Sequence, residues 1–81
     1  MEIRVLGPGC ARCHEVEKRT RDALAELDVA ADLQKITDMK EIMGYGIMGT
    51  PGLVINGMVR CAARIPSVAE IKKWIQEALR P

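Results

Sequence analysis

The chain has 81 residues, a formal net charge of +1, and only one Trp and one Tyr as aromatic residues. This length predicts a single domain with a small core. The balanced charge and the lack of a stacking platform argue against nucleic-acid binding, and no apolar run approaches membrane-spanning length.

The first third of the chain predicts a strand, a helix and a second strand. Residues 2–6 form an apolar run that is typical of a buried strand, interrupted only by Arg4. Residues 11–28 carry apolar side chains at three- and four-residue steps, which predicts an amphipathic helix. Residues 29–36 are predicted to form a second strand, because Val29, Ala31 and Leu33 recur at every second position and would share one face. This order predicts a right-handed crossover between two parallel strands.

A short helix and a third strand are predicted next. Asp38 and Glu41 have the spacing of a capping box, so a helix should cover residues 38–43. Pro51 cannot donate a hydrogen bond into a sheet, so the following strand, residues 53–55, should begin only after it.

The chain then predicts a hairpin and a final helix. Asn56-Gly57 is a strong two-residue hairpin signal, and residues 58–61 provide the returning strand. Ser67 and Glu70 form a second capping-box pattern ahead of a strongly amphipathic segment. The complete order is β-α-β-α-β-β-α. It predicts an α/β domain over residues 1–81, in three layers, with a four-stranded mixed sheet and helices on both faces.

The stretch Gly7-Pro8-Gly9-Cys10-Ala11-Arg12-Cys13-His14 carries the most chemical information. Cys10 follows a glycine turn and precedes the first helix, where free N–H groups and the helix dipole favour a thiolate. Cys13 lies three residues later, on the same helix face. Two sulfurs in this arrangement can form a small-ring disulfide or share one metal ion.

This pattern resembles the thioredoxin-like superfamily, and most closely its small, glutaredoxin-sized "redox-active disulfide protein" members. The resemblance rests on the Cys-x-x-Cys stretch, Gly49-Thr50-Pro51, the Asn-Gly hairpin and Arg64-Ile65-Pro66-Ser67, and it covers the whole chain. It implies that the Thr50–Pro51 bond is cis, that Pro51 packs against the active-site disulfide, and that Thr50 offers its backbone to substrate. Arg4 stands where many members keep a buried acid, so a proton-shuttling carboxylate is not evident.

The resemblance implies a thiol–disulfide oxidoreductase with two distinct cysteine roles. Cys10 would be the exposed attacking thiolate and Cys13 would resolve the mixed disulfide. The positive charge of Arg12, and of His14 when protonated, would favour the thiolate. We expect no cofactor beyond the Cys10–Cys13 disulfide. The expected partners are disulfide-containing proteins and an upstream reductant like thioredoxin reductase. With no basic leader ahead of a hydrophobic stretch, we expect a cytoplasmic monomer that binds neither membrane nor nucleic acid.

Other functions remain open from the sequence alone. The two thiolates suit a soft-metal carrier for Cu(I) or Zn(II), although such carriers follow a different order of strands and helices. The letters Cys10-Ala-Arg-Cys13-His14 also spell a haem-attachment motif, which the strand and hairpin signals disfavour. A binding module without turnover is a further alternative. Cys61 is interpreted as a small core hydrophobe, Trp74 as a core residue, and Met48 as part of an apolar patch beside Thr50.

Overall fold

The seven predicted elements are present in the predicted order in a computed structural model, which describes residues 1–9 and 11–80. The predicted α/β class and the order β-α-β-α-β-β-α are therefore confirmed. The elements are β1 (Glu2–Leu6), α1 (Ala11–Leu27), β2 (Asp32–Ile36), α2 (Met39–Gly44), β3 (Gly52–Ile55), β4 (Met58–Ala62) and α3 (Val68–Leu79).

The four strands form one mixed sheet in the spatial order β2-β1-β3-β4. β1 pairs in parallel with β2 and antiparallel with β3, so the first strand occupies a central position. β3 and β4 are joined by the hairpin turn Asn56-Gly57, whose φ angles are both positive, at 50° and 81°. These angles are those of a type I′ turn, whose twist matches that of the flanking strands.

Side chains of β1 alternate between two apolar layers. Ile3 and Val5 are buried on the face that α1 and α3 cover, whereas Leu6 is buried on the opposite face with Ile42 of α2. Helices on both faces of the sheet are therefore confirmed. Thr20 is the one polar residue that is fully buried among the described residues, and its hydroxyl donates to the Val16 carbonyl at 2.8 Å.

The second strand begins three residues later than the sequence pattern predicts. Asp28 has a positive φ of 54°, and the Val29 N–H donates to the Leu24 carbonyl at 3.0 Å in the closing turn of α1. That turn uses the Val29 amide, which therefore cannot join the sheet ladder. Pairing is established only at Asp32, whose N–H donates to the Met1 carbonyl at 2.8 Å.

The short helix α2 has a simpler N-cap than predicted. The Asp38 carboxylate accepts a hydrogen bond from the Lys40 N–H at 2.8 Å, which is the second helical position. In a capping box the bond goes to the third position instead, so the predicted pairing of Asp38 with Glu41 is wrong. The predicted helix itself is present, and it ends at Gly44.

The capping box of α3 is complete, and its Glu70 carboxylate also accepts hydrogen bonds from Arg64. The Ser67 hydroxyl accepts from the Glu70 N–H, and the Glu70 carboxylate accepts from the Ser67 N–H, both at 3.1 Å. The Arg64 guanidinium donates to both Glu70 oxygens, at 2.7 and 3.2 Å. It also lies 5.9 Å from the ring centroid of Trp74, which is partly buried against the core. The hydrogen bond from Arg64 has the larger effect and those from Ser67 add to it, so that the pKa of Glu70 is lowered to about 2.

We expect Glu70→Gln to remove a pH-dependent part of the stability. Because the pKa of Glu70 is lower in the folded chain, its stabilisation is complete above the ordinary value of 4.5 and is lost as pH falls towards about 2. Urea unfolding at a series of pH values should show a variant that is less stable than the native chain at pH 7. The difference should shrink between pH 4.5 and pH 2.

Glu26→Gln is the matched control for this prediction. Glu26 makes a single exposed ion pair with Lys72 at 3.2 Å, so its loss should change the stability little. A Glu70→Gln curve that runs parallel to the native curve throughout this pH range would contradict the assigned role of the carboxylate.

Candidate active site

The loop between β1 and α1 is anchored at the end of the parallel strand pair. The Gly7 N–H donates to the Ile36 carbonyl at 2.9 Å, which extends the β1–β2 pairing by one residue. The helix α1 then begins at Ala11. Cys10, the predicted attacking thiolate, lies outside the described residues, so its role stays a prediction.

Cys13 lies in the first turn of α1 and is only 5% exposed. Its side chain packs directly against the backbone of Gly7, because a Cβ added at Gly7 would overlap the Cys13 sulfur. The same added Cβ would lie 3.8 Å from the Cβ of Thr50. The structure thus brings Cys13 and Thr50 together around Gly7, although they are far apart in sequence. A glycine is required here because of this close approach.

The segment before β3 has the backbone conformation that the family resemblance predicts. The Thr50–Pro51 bond is cis and Pro51 is buried. The Pro51 carbonyl accepts from the Ala63 N–H at 2.9 Å, and a Cβ added at Gly49 would lie 3.0 Å from the Cβ of Ala63. Ala63, in the loop between β4 and α3, therefore holds this segment in place. No sequence pattern indicated that role.

The two predicted pKa-modulating residues lie on the exposed surface of α1. The Arg12 guanidinium donates to the Ala63 carbonyl at 3.4 Å, so it links α1 to the loop that holds Pro51. The His14 Nδ1 lies 4.0 Å from a carboxylate oxygen of Glu17. The influence of Arg12 and His14 on a thiolate stays a prediction.

Glu17 is the centre of a small ion-pair network beside His14. Its carboxylate lies 2.9 Å from the Arg21 guanidinium and 3.5 Å from the Lys35 ammonium of β2. The hydrogen bond from Arg21, helped by the charge of Lys35, lowers the pKa of Glu17 below its ordinary value. The network therefore ties α1 to β2 near the loop that carries Gly7.

Cys61 is a core thiol. It is 8% exposed, belongs to the apolar cluster between the sheet and helices α1 and α3, and its Sγ donates to the Arg64 carbonyl at 3.7 Å. Burial raises the pKa of the Cys61 thiol. A protonated, buried thiol is a poor nucleophile, so Cys61 acts as a small hydrophobe in this fold.

An apolar groove of about 460 Å³ opens beside Thr50. We call it the methionine groove, and its lining residues are Met39, Ile42, Met43, Ile47, Met48, Gly49 and Thr50. The sequence indicated only Met48 as part of an apolar patch here. Met39 and Met43 lie one helical turn apart on α2, a spacing that would have placed them on one face.

Comparison with known proteins identifies the family. The sequence model of the thioredoxin domain family matches residues 1–76 of the chain. A thioredoxin of Methanothermobacter thermautotrophicus is 40% identical over 73 residues, which cover 90% of this chain and 95% of the relative. A thioredoxin of Methanocaldococcus jannaschii is 34% identical over 77 residues, which cover 95% of this chain and 88% of that relative. The chain belongs to the thioredoxin family. At the level of the family, this supports thiol–disulfide oxidoreductase chemistry.

Within residues 1–9 and 11–80, no helix has both the length and the apolar character needed to cross a membrane. Over the same residues, no three or more His, Cys, Asp and Glu side chains are grouped so that they could hold a metal ion. The hypothesis of a soft-metal carrier requires the thiols of both Cys10 and Cys13, and Cys10 lies outside the described residues.

Proposed function

We propose that the chain is a thiol–disulfide oxidoreductase, in which the Cys10–Cys13 pair undergoes thiol–disulfide exchange with a protein partner. The observation that carries the proposal is the packing of the Cys13 sulfur on Gly7, beside Thr50 and the cis Pro51. Family membership supports the same chemistry. As partners we propose disulfide-containing proteins and an upstream reductant like thioredoxin reductase, and we propose that the chain is a cytoplasmic monomer.

The proposed reaction has two thiol–disulfide exchange steps. The Cys10 thiolate attacks one sulfur of the partner disulfide, forms a mixed disulfide and expels the partner's first thiolate, which takes up a proton. Cys13, after losing its proton, attacks the sulfur of Cys10 and releases the second partner thiolate. The partner gains two electrons and two protons, and the chain is left with a Cys10–Cys13 disulfide.

The environment of Cys13 supports its assignment to the second step. A sulfur that is buried against Gly7 is shielded from a large external disulfide, whereas a mixed disulfide on a cysteine only three residues away in sequence is held close to it. Cys13 lies in the first turn of α1, where the positive end of the helix dipole stabilises its thiolate once it forms. The limited access to Cys13 therefore favours an order in which it acts second.

A redox titration of the metal-stripped protein tests the proposal. The chain is equilibrated in thiol–disulfide buffers, free thiols are alkylated, and masses are read. We expect one two-electron transition, near the thioredoxin value of ~−270 mV if the chain is a reductant. A pair that does not close into a disulfide, but binds Cu(I) or Zn(II) through both thiols, would replace this proposal with the soft-metal carrier.

A further inference from the structure

The exposed thioethers of this chain are concentrated in the methionine groove. Met48 is fully exposed, at 104%, and Met43 and Met39 are 67% and 52% exposed. All three line the groove that Thr50 borders. A wall of flexible, polarisable side chains is adaptable towards apolar ligands.

Exposure also makes these thioethers accessible to peroxides. Hydrogen peroxide transfers one oxygen atom to the methionine sulfur, its O–O bond breaks, and water leaves. The sulfur loses two electrons and becomes a sulfoxide, and the peroxide is reduced. The product is polar where the thioether was apolar. In this groove the change would affect the surface that adjoins Thr50.

We propose that Met43 and Met48 form a peroxide-modifiable site that controls the docking of partner proteins at the methionine groove. This inference rests on the proposed function, because Thr50, which lies beside Cys13 around Gly7, also lines the groove. The groove takes an apolar segment beside the target disulfide, and sulfoxides in its wall would be buried there without hydrogen-bond partners. Oxidation weakens docking and leaves the chemistry of the thiols intact.

The test separates docking from chemistry with two substrates. The thiols are first blocked as methyl disulfides, the protein is treated with hydrogen peroxide, and the thiols are then released with dithiothreitol, which does not reduce methionine sulfoxide. We expect the KM for insulin, a protein disulfide, to rise by about fivefold or more at unchanged kcat. The rate with hydroxyethyl disulfide, which is too small to cover the groove, should not change.

Substitution by leucine keeps the volume and removes the oxidisable sulfur. The triple variant Met39→Leu, Met43→Leu, Met48→Leu should show the same KM for insulin before and after peroxide treatment, because it leaves no exposed thioether in the groove. Met58 is the matched control because it is similarly exposed, at 57%, but lies outside the groove. Met58→Leu should respond to peroxide like the native chain. Methionine sulfoxide reductase should restore the KM of the native chain.

Peptide mass mapping measures the oxidation of each methionine without an activity assay. We expect Met48 and Met43 to convert before the partly buried Met1. Full conversion of Met43 and Met48 with an unchanged KM for insulin would overturn the proposal, as would conversion at a rate equal to that of Met1. A chain that reduces neither disulfide before peroxide treatment would instead refute the proposed function.

Discussion

Cys10→Ser will lower turnover of a protein disulfide to the background rate of the reductant alone, whereas Cys13→Ser will leave the chain joined to its partner. The serine hydroxyl is not ionised at neutral pH, so the first variant lacks the attacking group. The second variant still attacks, but it cannot release the mixed disulfide from within. Mass spectrometry after acid quenching should detect a one-to-one adduct only with Cys13→Ser.

Cys61→Ser is the matched control for the cysteine predictions. The Cys61 thiol is buried and its pKa is raised, so its removal should leave turnover unchanged, at some cost in stability. Full turnover by Cys10→Ser would refute the proposed order of steps. An adduct of equal yield with both active-site variants would show that either thiol can attack the partner.

Gly7→Ala will displace the Cys13 sulfur and slow the resolution of mixed disulfides. The added Cβ would overlap that sulfur and lie 3.2 Å from the Cβ of Cys13, so the first turn of α1 must shift or the side chain must rotate. We expect a loss of about 1–3 kcal/mol in the free energy of unfolding, typical of overpacking. Rapid mixing with a small disulfide, followed by alkylation of the free thiols at successive times, would measure the rate at which the mixed disulfide is resolved.

Gly44→Ala provides the comparison for Gly7→Ala. It lies at the end of α2, and a Cβ added there would meet nothing within 4 Å. This variant should be as stable as the native chain or slightly more stable, because alanine restricts the unfolded chain. It should also resolve mixed disulfides at the native rate. Equal resolution rates for Gly7→Ala and the native chain would contradict the inferred contact between Gly7 and the Cys13 sulfur.

Both predictions concern the same small volume, in which three segments of the chain meet. Gly7 follows the first strand, Cys13 lies in the first turn of α1, and Thr50 precedes the third strand. Ala63 fixes the Pro51 carbonyl from a fourth segment. The expected effects are large because a shift of one of these segments must be absorbed by the others in a packed interior.

Local chemistry allowed the sequence by itself to determine several elements of this protein. The strand Glu2–Leu6 has the predicted bounds, because a short apolar run closed by glycine has few alternatives. The turn at Asn56-Gly57 requires positive φ angles that these two residues adopt readily. The capping box at Ser67 begins the last helix through hydrogen bonds between residues three apart. Each of these features depends on neighbours in sequence.

The tertiary structure alone decided which of two competing hydrogen bonds forms and which distant segments of the chain pack together. Val29 has a strand-like pattern, yet its N–H is taken by the closing turn of α1. The closeness of Gly7, Cys13 and Thr50, and the contact of Ala63 with Pro51, depend on how the sheet orders its strands. The methionine groove likewise exists only because α2 packs beside the segment before β3. Such contacts arise from the burial of the shared core, which no short stretch of sequence encodes.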